Sequence, residues 1–112
     1  MDFDHVALQV PDIDAAVRWY LETIDGARVT YQDESWALIE AGGTKVAFVV
    51  EGQHPTHIAW RVDAERLESL ARANSQAICT HRDATRSIYL QGPGGHAVEL
   101  ISYPDDSLPS RD

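Results

Sequence analysis

Three side chains in this sequence have the types and placement to hold a metal ion. His5 opens the run HVALQV and His57 opens HIAWRV, which share one pattern: His, β-branched, Ala, apolar, polar, Val. Glu99 interrupts an otherwise apolar stretch of Ala97, Val98, Leu100 and Ile101. Singly, each has an ordinary role, since a histidine opening a strand is usually hydrogen-bonded and a strand glutamate usually faces water. A carboxylate inside an apolar run is costly unless something pairs with it. Two imidazoles and one carboxylate on one face form the set that leaves coordination positions open for substrate, water or dioxygen. Fe, Mn, Co, Ni and Zn all suit such donors.

The elements that must bring these residues together are legible as a repeat. Each histidine run reads as a strand followed at once by a helix. In PDIDAAVRWYLETIDG, Ile13, Ala16, Val17, Tyr20, Leu21 and Ile24 fall at helical spacing, with Asp12 or Asp14 as cap and Gly26 beyond the end. In DAERLESLARANS, Asp63 is the expected cap, and Ala64, Leu67, Leu70 and Ala71 form the stripe. Short β-rich runs follow each helix: ARVTYQDE, SWALIEAG and TKVAFVVE, then AICTHRDA, RSIYLQ and HAVELISY. Turn signals separate them at Asp33-Glu34, Gly42-Gly43 and Gly92-Pro93-Gly94-Gly95. The order is βαβββ twice, an α+β fold, with modules at about 3–51 and 56–103 and a polar tail at 104–112. A module of about 50 residues is too small to bury a sufficient core alone. The two are therefore expected to pair as one domain over 1–112: a curved, eight-stranded mixed sheet around a concave metal and ligand site.

Composition narrows the class. The 112 residues include 44% hydrophobic and 24% charged side chains, an ordinary globular balance. A net charge of −9 leaves no basic face for nucleic acid. No apolar run approaches the roughly 20 residues that cross a bilayer, so a cytoplasmic protein without membrane partners is expected. The single cysteine, Cys79, excludes an internal disulfide. Its apolar setting, AICT, predicts a buried thiol.

Strand alternation sorts side chains by face. His5, Ala7 and Gln9 share one side of their strand, as do His57, Ala59 and Arg61 of theirs. Val6, Leu8, Ile58 and Trp60 are then expected beneath the helices. Matching TKVAFVV to GHAVELI sets Phe48 over Glu99, so His5, Phe48, His57 and Glu99 are expected to point into the cavity. His54, in the linker, and His96, of opposite parity to Glu99, are expected at the surface. His81 stays open, within reach of the site from the sixth strand.

With these motifs in hand, the chain resembles the vicinal oxygen chelate superfamily, which includes glyoxalase I, extradiol dioxygenases, methylmalonyl-CoA epimerase, fosfomycin-resistance enzymes and bleomycin-resistance proteins. The likeness runs from Asp4 to about Tyr103. DHVALQVPDIDAAVRWYLETIDG resembles the family's first strand and helix, HIAWRV its mid-chain histidine strand, and GPGGHAVELI its closing turn and glutamate strand. The resemblance implies that His5, His57 and Glu99 are metal ligands. The fourth family position, a Glu or Gln in glyoxalase I and the epimerases, is matched here to Phe48, which points to the three-ligand dioxygenase and fosfomycin-resistance subfamilies. Those subfamilies carry an active-site tyrosine where this chain has Tyr89. Two features depart from them. Gly43-Thr44-Lys45 replaces the dioxygenase histidine near the fourth strand, and Ala7 replaces the fosfomycin-resistance threonine.

The function implied is a metal-dependent enzyme acting on a small substrate that chelates the ion through adjacent oxygens, with dioxygenase-like chemistry favoured. Tyr89 would donate to a substrate oxygen, Gln9 and Arg61 would orient the substrate, and Phe48 and Trp36 would supply apolar walls. The alternatives are a non-catalytic, drug-binding protein of the bleomycin-resistance type and a glyoxalase-like or fosfomycin-resistance-like lyase or transferase. A homodimer is expected, with closure within a chain or by swapping left open.

Overall fold

A computed structural model of the protein describes residues 1–104. Apart from Pro104, the expected polar tail lies outside the described residues. The elements run β1 (Asp2–Gln9), α1 (Ile13–Thr23), β2 (Arg28–Gln32), β3 (Trp36–Ala41), β4 (Thr44–Val49), β5 (His57–Arg61), α2 (Ala64–Ala73), β6 (Cys79–Thr80), β7 (Arg86–Gln91) and β8 (Ala97–Ser102). This is βαβββ twice. The strands form one open mixed sheet in the order β2-β3-β4-β1-β5-β8-β7-β6. By internal packing the chain divides into two compact units: Asp4–Ile58, and Met1–Phe3 with the residues from Ala59 onward.

The first unit builds its core between α1 and one face of its strands. Asp12 caps the helix, its side chain accepting from the Ala15 amide. Ile13 and Val17 on the helix then pack on Ala37, Ile39, Val46 and Phe48, flanked by Val6, Leu8, Ala16 and Tyr20. β1 runs parallel to β4 with Val6 beside Val46 and Leu8 beside Phe48, so these share the helix-facing side. Side chains alternate along each strand, so Ala7, Gln9, Ala47 and Val49 lie on the other face with His5. Leu38 pairs with Ala47 across the antiparallel β3–β4 ladder, which extends that face.

The second unit repeats the plan. Asp63 caps α2, accepting from the Arg66 amide. Leu67 and Ala71 pack with Val62, Ile88 and Leu100, flanked by Leu70, Leu90 and Val98. Tyr89 stands beside Glu99 across β7–β8, on the face turned from this core. Asx turns close equivalent hairpins in both units. Asp33 accepts from the Ser35 and Trp36 amides, and Asp83 from the Thr85 amide and hydroxyl.

Two expectations about the core need correction. Val6 and Leu8 do pack beneath a helix, but Ile58 and Trp60 are exposed, and Trp60 meets Phe3 edge to face. Cys79 is also exposed, on the two-residue strand β6 at the sheet edge. No helix among the described residues is long and apolar enough to cross a membrane.

Candidate metal centre

His5 and His57 each carry a hydrogen bond that fixes their ring. The His5 Nδ1–H donates to Asp4 Oδ2 at 2.6 Å, and the Asp4 side chain is only 4% exposed. The His57 Nδ1–H donates to the Pro55 carbonyl at 2.6 Å. The two rings stand edge to face with centroids 5.6 Å apart. A histidine whose Nδ1 is engaged in this way presents Nε2 as the coordinating nitrogen, with its tautomer and orientation set.

Glu99 is 3% exposed. Its carboxylate has Tyr89 as a hydrogen-bond partner and His81 nearby, with His81 Nε2 at 3.8 Å from Oε2. Burial, followed by the charge and hydrogen bond of Glu99, holds the Tyr89 hydroxyl well above the ordinary tyrosine pKa. Tyr89 therefore stays a protonated donor. His81 is itself held by Ser87, with Nε2 at 2.8 Å from Oγ. Among the described residues, His5, His57 and Glu99 are grouped with one ligand atom from each, all within 4.8 Å of one another. Two imidazoles and a buried carboxylate at that separation fit a divalent cation, both in donor chemistry and in compensating a buried negative charge.

The remaining residues singled out in the sequence divide. Phe48 does not belong with this group. It is 1% exposed in the helix-side core, with its ring 5.1 Å from Tyr20. The two halves are related by a shift of 52 residues rather than the 51 used to match Phe48 with Glu99. Val10 N donates to Val49 O and Val62 N to Ile101 O, both at 2.9 Å, so Val49 corresponds to Ile101. The counterpart of Glu99 is therefore Ala47. Gln9 is tied to the linker, its Nε2 donating to the His54 carbonyl at 2.7 Å and its amide to Thr56 Oγ1. The Arg61 guanidinium lies 4.2 Å from the Tyr103 ring centroid. Trp36, on the His5 side by register, stacks on Tyr31 at 4.5 Å. His54 is half-buried, its ring 6.4 Å from that of His57, rather than at the surface. The His96 ring lies against Gly92 and Gly94.

Sequence reasoning missed Asp4, which sits immediately before His5 and could have been suspected from adjacency alone. It missed Ala47 through a one-residue slip.

Comparison with known proteins places the fold. The sequence model of the Glyoxalase/Bleomycin resistance protein/Dioxygenase superfamily matches residues 2–78. The chain belongs to that superfamily. Among solved structures, similar folds include methylmalonyl-CoA epimerase from Mycobacterium tuberculosis, with 17% identity, TM-score 0.70, and 91% of this chain and 87% of that chain covered. A glyoxalase/bleomycin resistance protein/dioxygenase superfamily member from Vibrio splendidus 12B01 matches with 14% identity and TM-score 0.63, covering 87% and 94%. A structure described as an NAD-dependent benzaldehyde dehydrogenase from Legionella pneumophila matches with 12% identity and TM-score 0.71, covering 88% and 97%. At such identities these likenesses show the fold alone. No curated protein matches the chain in sequence.

Proposed function

We propose that this protein is a metal-dependent enzyme that binds a divalent cation through His5, His57 and Glu99 and acts on a small molecule presenting two adjacent oxygens. Dioxygenase-like chemistry on Fe2+ is the favoured form, with Mn2+, Zn2+, Ni2+ or Co2+ as other occupants. The observation that carries the reading is the grouping of the three ligand atoms within 4.8 Å. Support comes from the Nδ1 hydrogen bonds to Asp4 and the Pro55 carbonyl, which leave Nε2 of each histidine as the coordinating atom. Bound there, a divalent ion supplies Lewis acidity toward chelating oxygens and, as iron, redox chemistry with dioxygen.

The chain's own side chains then divide the work. His5 and His57 would hold the ion as neutral imidazoles, and Glu99 would compensate its charge. With Ala47 at the position corresponding to Glu99, β4 adds no fourth ligand to this set, which would leave room for the two oxygens of a substrate. Tyr89, a protonated phenol bonded to Glu99, would turn its one donor toward a substrate oxygen once Glu99 holds an ion. The superfamily resemblance supports a homodimer, which sedimentation of the purified chain tests, and the acidic composition and single cysteine suit the cytoplasm.

The test is elemental analysis of anaerobically purified protein, with His5→Ala and Glu99→Ala beside the wild type. Stoichiometric metal in the wild type and its loss from both variants is expected. A wild type that takes up no metal under any loading condition would overturn the reading in favour of a metal-free ligand-binding protein. Oxygen uptake with a panel of catechols then separates dioxygenase chemistry from isomerase, lyase or transferase chemistry.

A further inference from the structure

Resting on the metal reading above, we propose that Gln9 is a positioning residue for that centre. It clamps the linker before β5, so that the Pro55 carbonyl holds the His57 ring with Nε2 presented to an ion. Strand alternation suggests a substrate contact for Gln9, but its hydrogen bonds run to the linker instead. The residues involved all lie within one compact unit, Asp4–Ile58.

The two histidines are held in different ways. The His5 ring bonds a side chain, the Asp4 carboxylate. By the repeat, Thr56 stands where Asp4 stands, one residue before its histidine, and it offers no carboxylate. His57 turns to the backbone, with Nδ1 at 2.6 Å from the Pro55 carbonyl. A carbonyl oxygen only accepts, so Nδ1 carries the proton and Nε2 keeps its lone pair. The lock on the ring is only as firm as that carbonyl is fixed.

Residues 50–56 are turn and irregular backbone, with Gly52 at φ +94°. The ring of Pro55 sets its φ at about −65°, so the direction of its carbonyl follows ψ, the rotation that also places Thr56. Gln9 holds the chain on both sides of that rotation. Its Nε2 donates to the His54 carbonyl at 2.7 Å, and its backbone amide donates to Thr56 Oγ1 at 3.1 Å. Gln9 itself closes β1, in register with Val49 of β4, and the Val10 amide donates to the Val49 carbonyl at 2.9 Å. The clamp thus ties an irregular segment to paired sheet, with Pro55 between its two points.

The experiment compares the wild type with Gln9→Glu and Gln9→Lys, with circular dichroism confirming the fold of each. Gln9→Glu keeps the length and loses the donor, whereas Gln9→Lys keeps a donor for the His54 carbonyl. On charge alone the two would rank the other way, since a carboxylate attracts a cation and an ammonium repels it. Nitrogen-15 spectra of the metal-free proteins at pH 8 read which ring nitrogen of each histidine carries the proton. Competition with a chromophoric chelator reads Mn2+ affinity.

Gln9→Glu is expected to leave His57 as a mixture of both tautomers and to weaken Mn2+ about tenfold, the lower end of what losing an outer partner costs. His5, held by Asp4, should keep its tautomer, which a general loosening of the fold would not spare. Gln9→Lys should stay within about twofold of the wild type. An unchanged His57 tautomer or an unchanged Mn2+ affinity in Gln9→Glu overturns the inference and leaves the metal centre standing. A change at His5 equal to that at His57, or a Gln9→Lys variant as weak as Gln9→Glu, overturns it too. A wild type that binds neither Mn2+ nor Fe2+ sinks the metal reading itself, and this role of Gln9 with it.

Discussion

Asp4 is a buried carboxylate whose hydrogen bond fixes His5. Such partners orient the ring and raise its basicity, and removing one commonly costs about 10- to 100-fold in metal affinity. Asp4→Asn is therefore expected to weaken metal binding within that range, as read by competition with a chromophoric chelator. An affinity equal to the wild type would show that His5 is oriented by other means. His5, His57 and Glu99 were legible in the sequence because a repeat puts like residues at like positions and alternation gives them one face. Phe48 was misplaced because β4 and β8 are both nearly continuous apolar runs, and either of two alignments satisfies them. A slip of one residue exchanges the two faces of a strand, so Phe48 and Ala47 traded roles. The sequence does not place His81, for a different reason. It follows a two-residue strand, where alternation gives no direction, and only the folded hairpin shows it beside Ser87 and Glu99.

At the scale of elements, turns and caps carry the register. Asp12 and Asp63 were readable as helix caps because a short acceptor before an apolar helical stripe satisfies the first amides. The turn at Asp33 was readable too, though not its bond to Tyr31. The hydrogen bonds from the Tyr31 hydroxyl and from the Ser35 and Trp36 amides hold the Asp33 carboxyl well below the usual carboxylate range. Asp83 differs in balance, since burial alone would raise it, yet the Thr85 hydroxyl and amide and the nearby His81 leave it lowered. A carboxyl depressed in the fold contributes stability above its unfolded pKa and loses it as pH falls toward the folded value. The stability advantage of the wild type over Asp33→Asn should thus be full at pH 7 and shrink below about pH 4. Urea midpoints at pH 7 and pH 3 check this, and an advantage that grew on acidification would contradict it. In the closing turn, a Cβ added at Gly92 would sit 2.5 Å from His96 Nε2. Gly92→Ala is expected to destabilise by about 1–3 kcal/mol, as overpacking does. Combining it with His96→Ala should restore much of the loss in thermal unfolding, because the ring that clashes is gone.

For the whole molecule, the centre concentrates buried charge that folding must accommodate. Asp4 and Glu99 are both buried carboxylates in a chain of net charge −9, and His57 is also buried. A cation that binds the folded chain and not the unfolded one stabilises it by mass action, about 2.7 kcal/mol when free metal is 100 times its Kd. For a chain of 112 residues that amounts to roughly 10 °C in the unfolding midpoint. Thermal melts with saturating Fe2+ under anaerobic conditions, or with Mn2+ in air, should therefore rise by that order over melts in excess chelator. In His5→Ala and Glu99→Ala the rise should disappear, while Tyr89→Phe, which keeps all three ligands, should retain it. This readout needs no substrate, so it separates failure of the metal centre from failure to find the right reaction. A midpoint that rose equally in the wild type and both ligand variants would mean that the ion acts elsewhere on the acidic surface, and the three converging side chains would need another explanation.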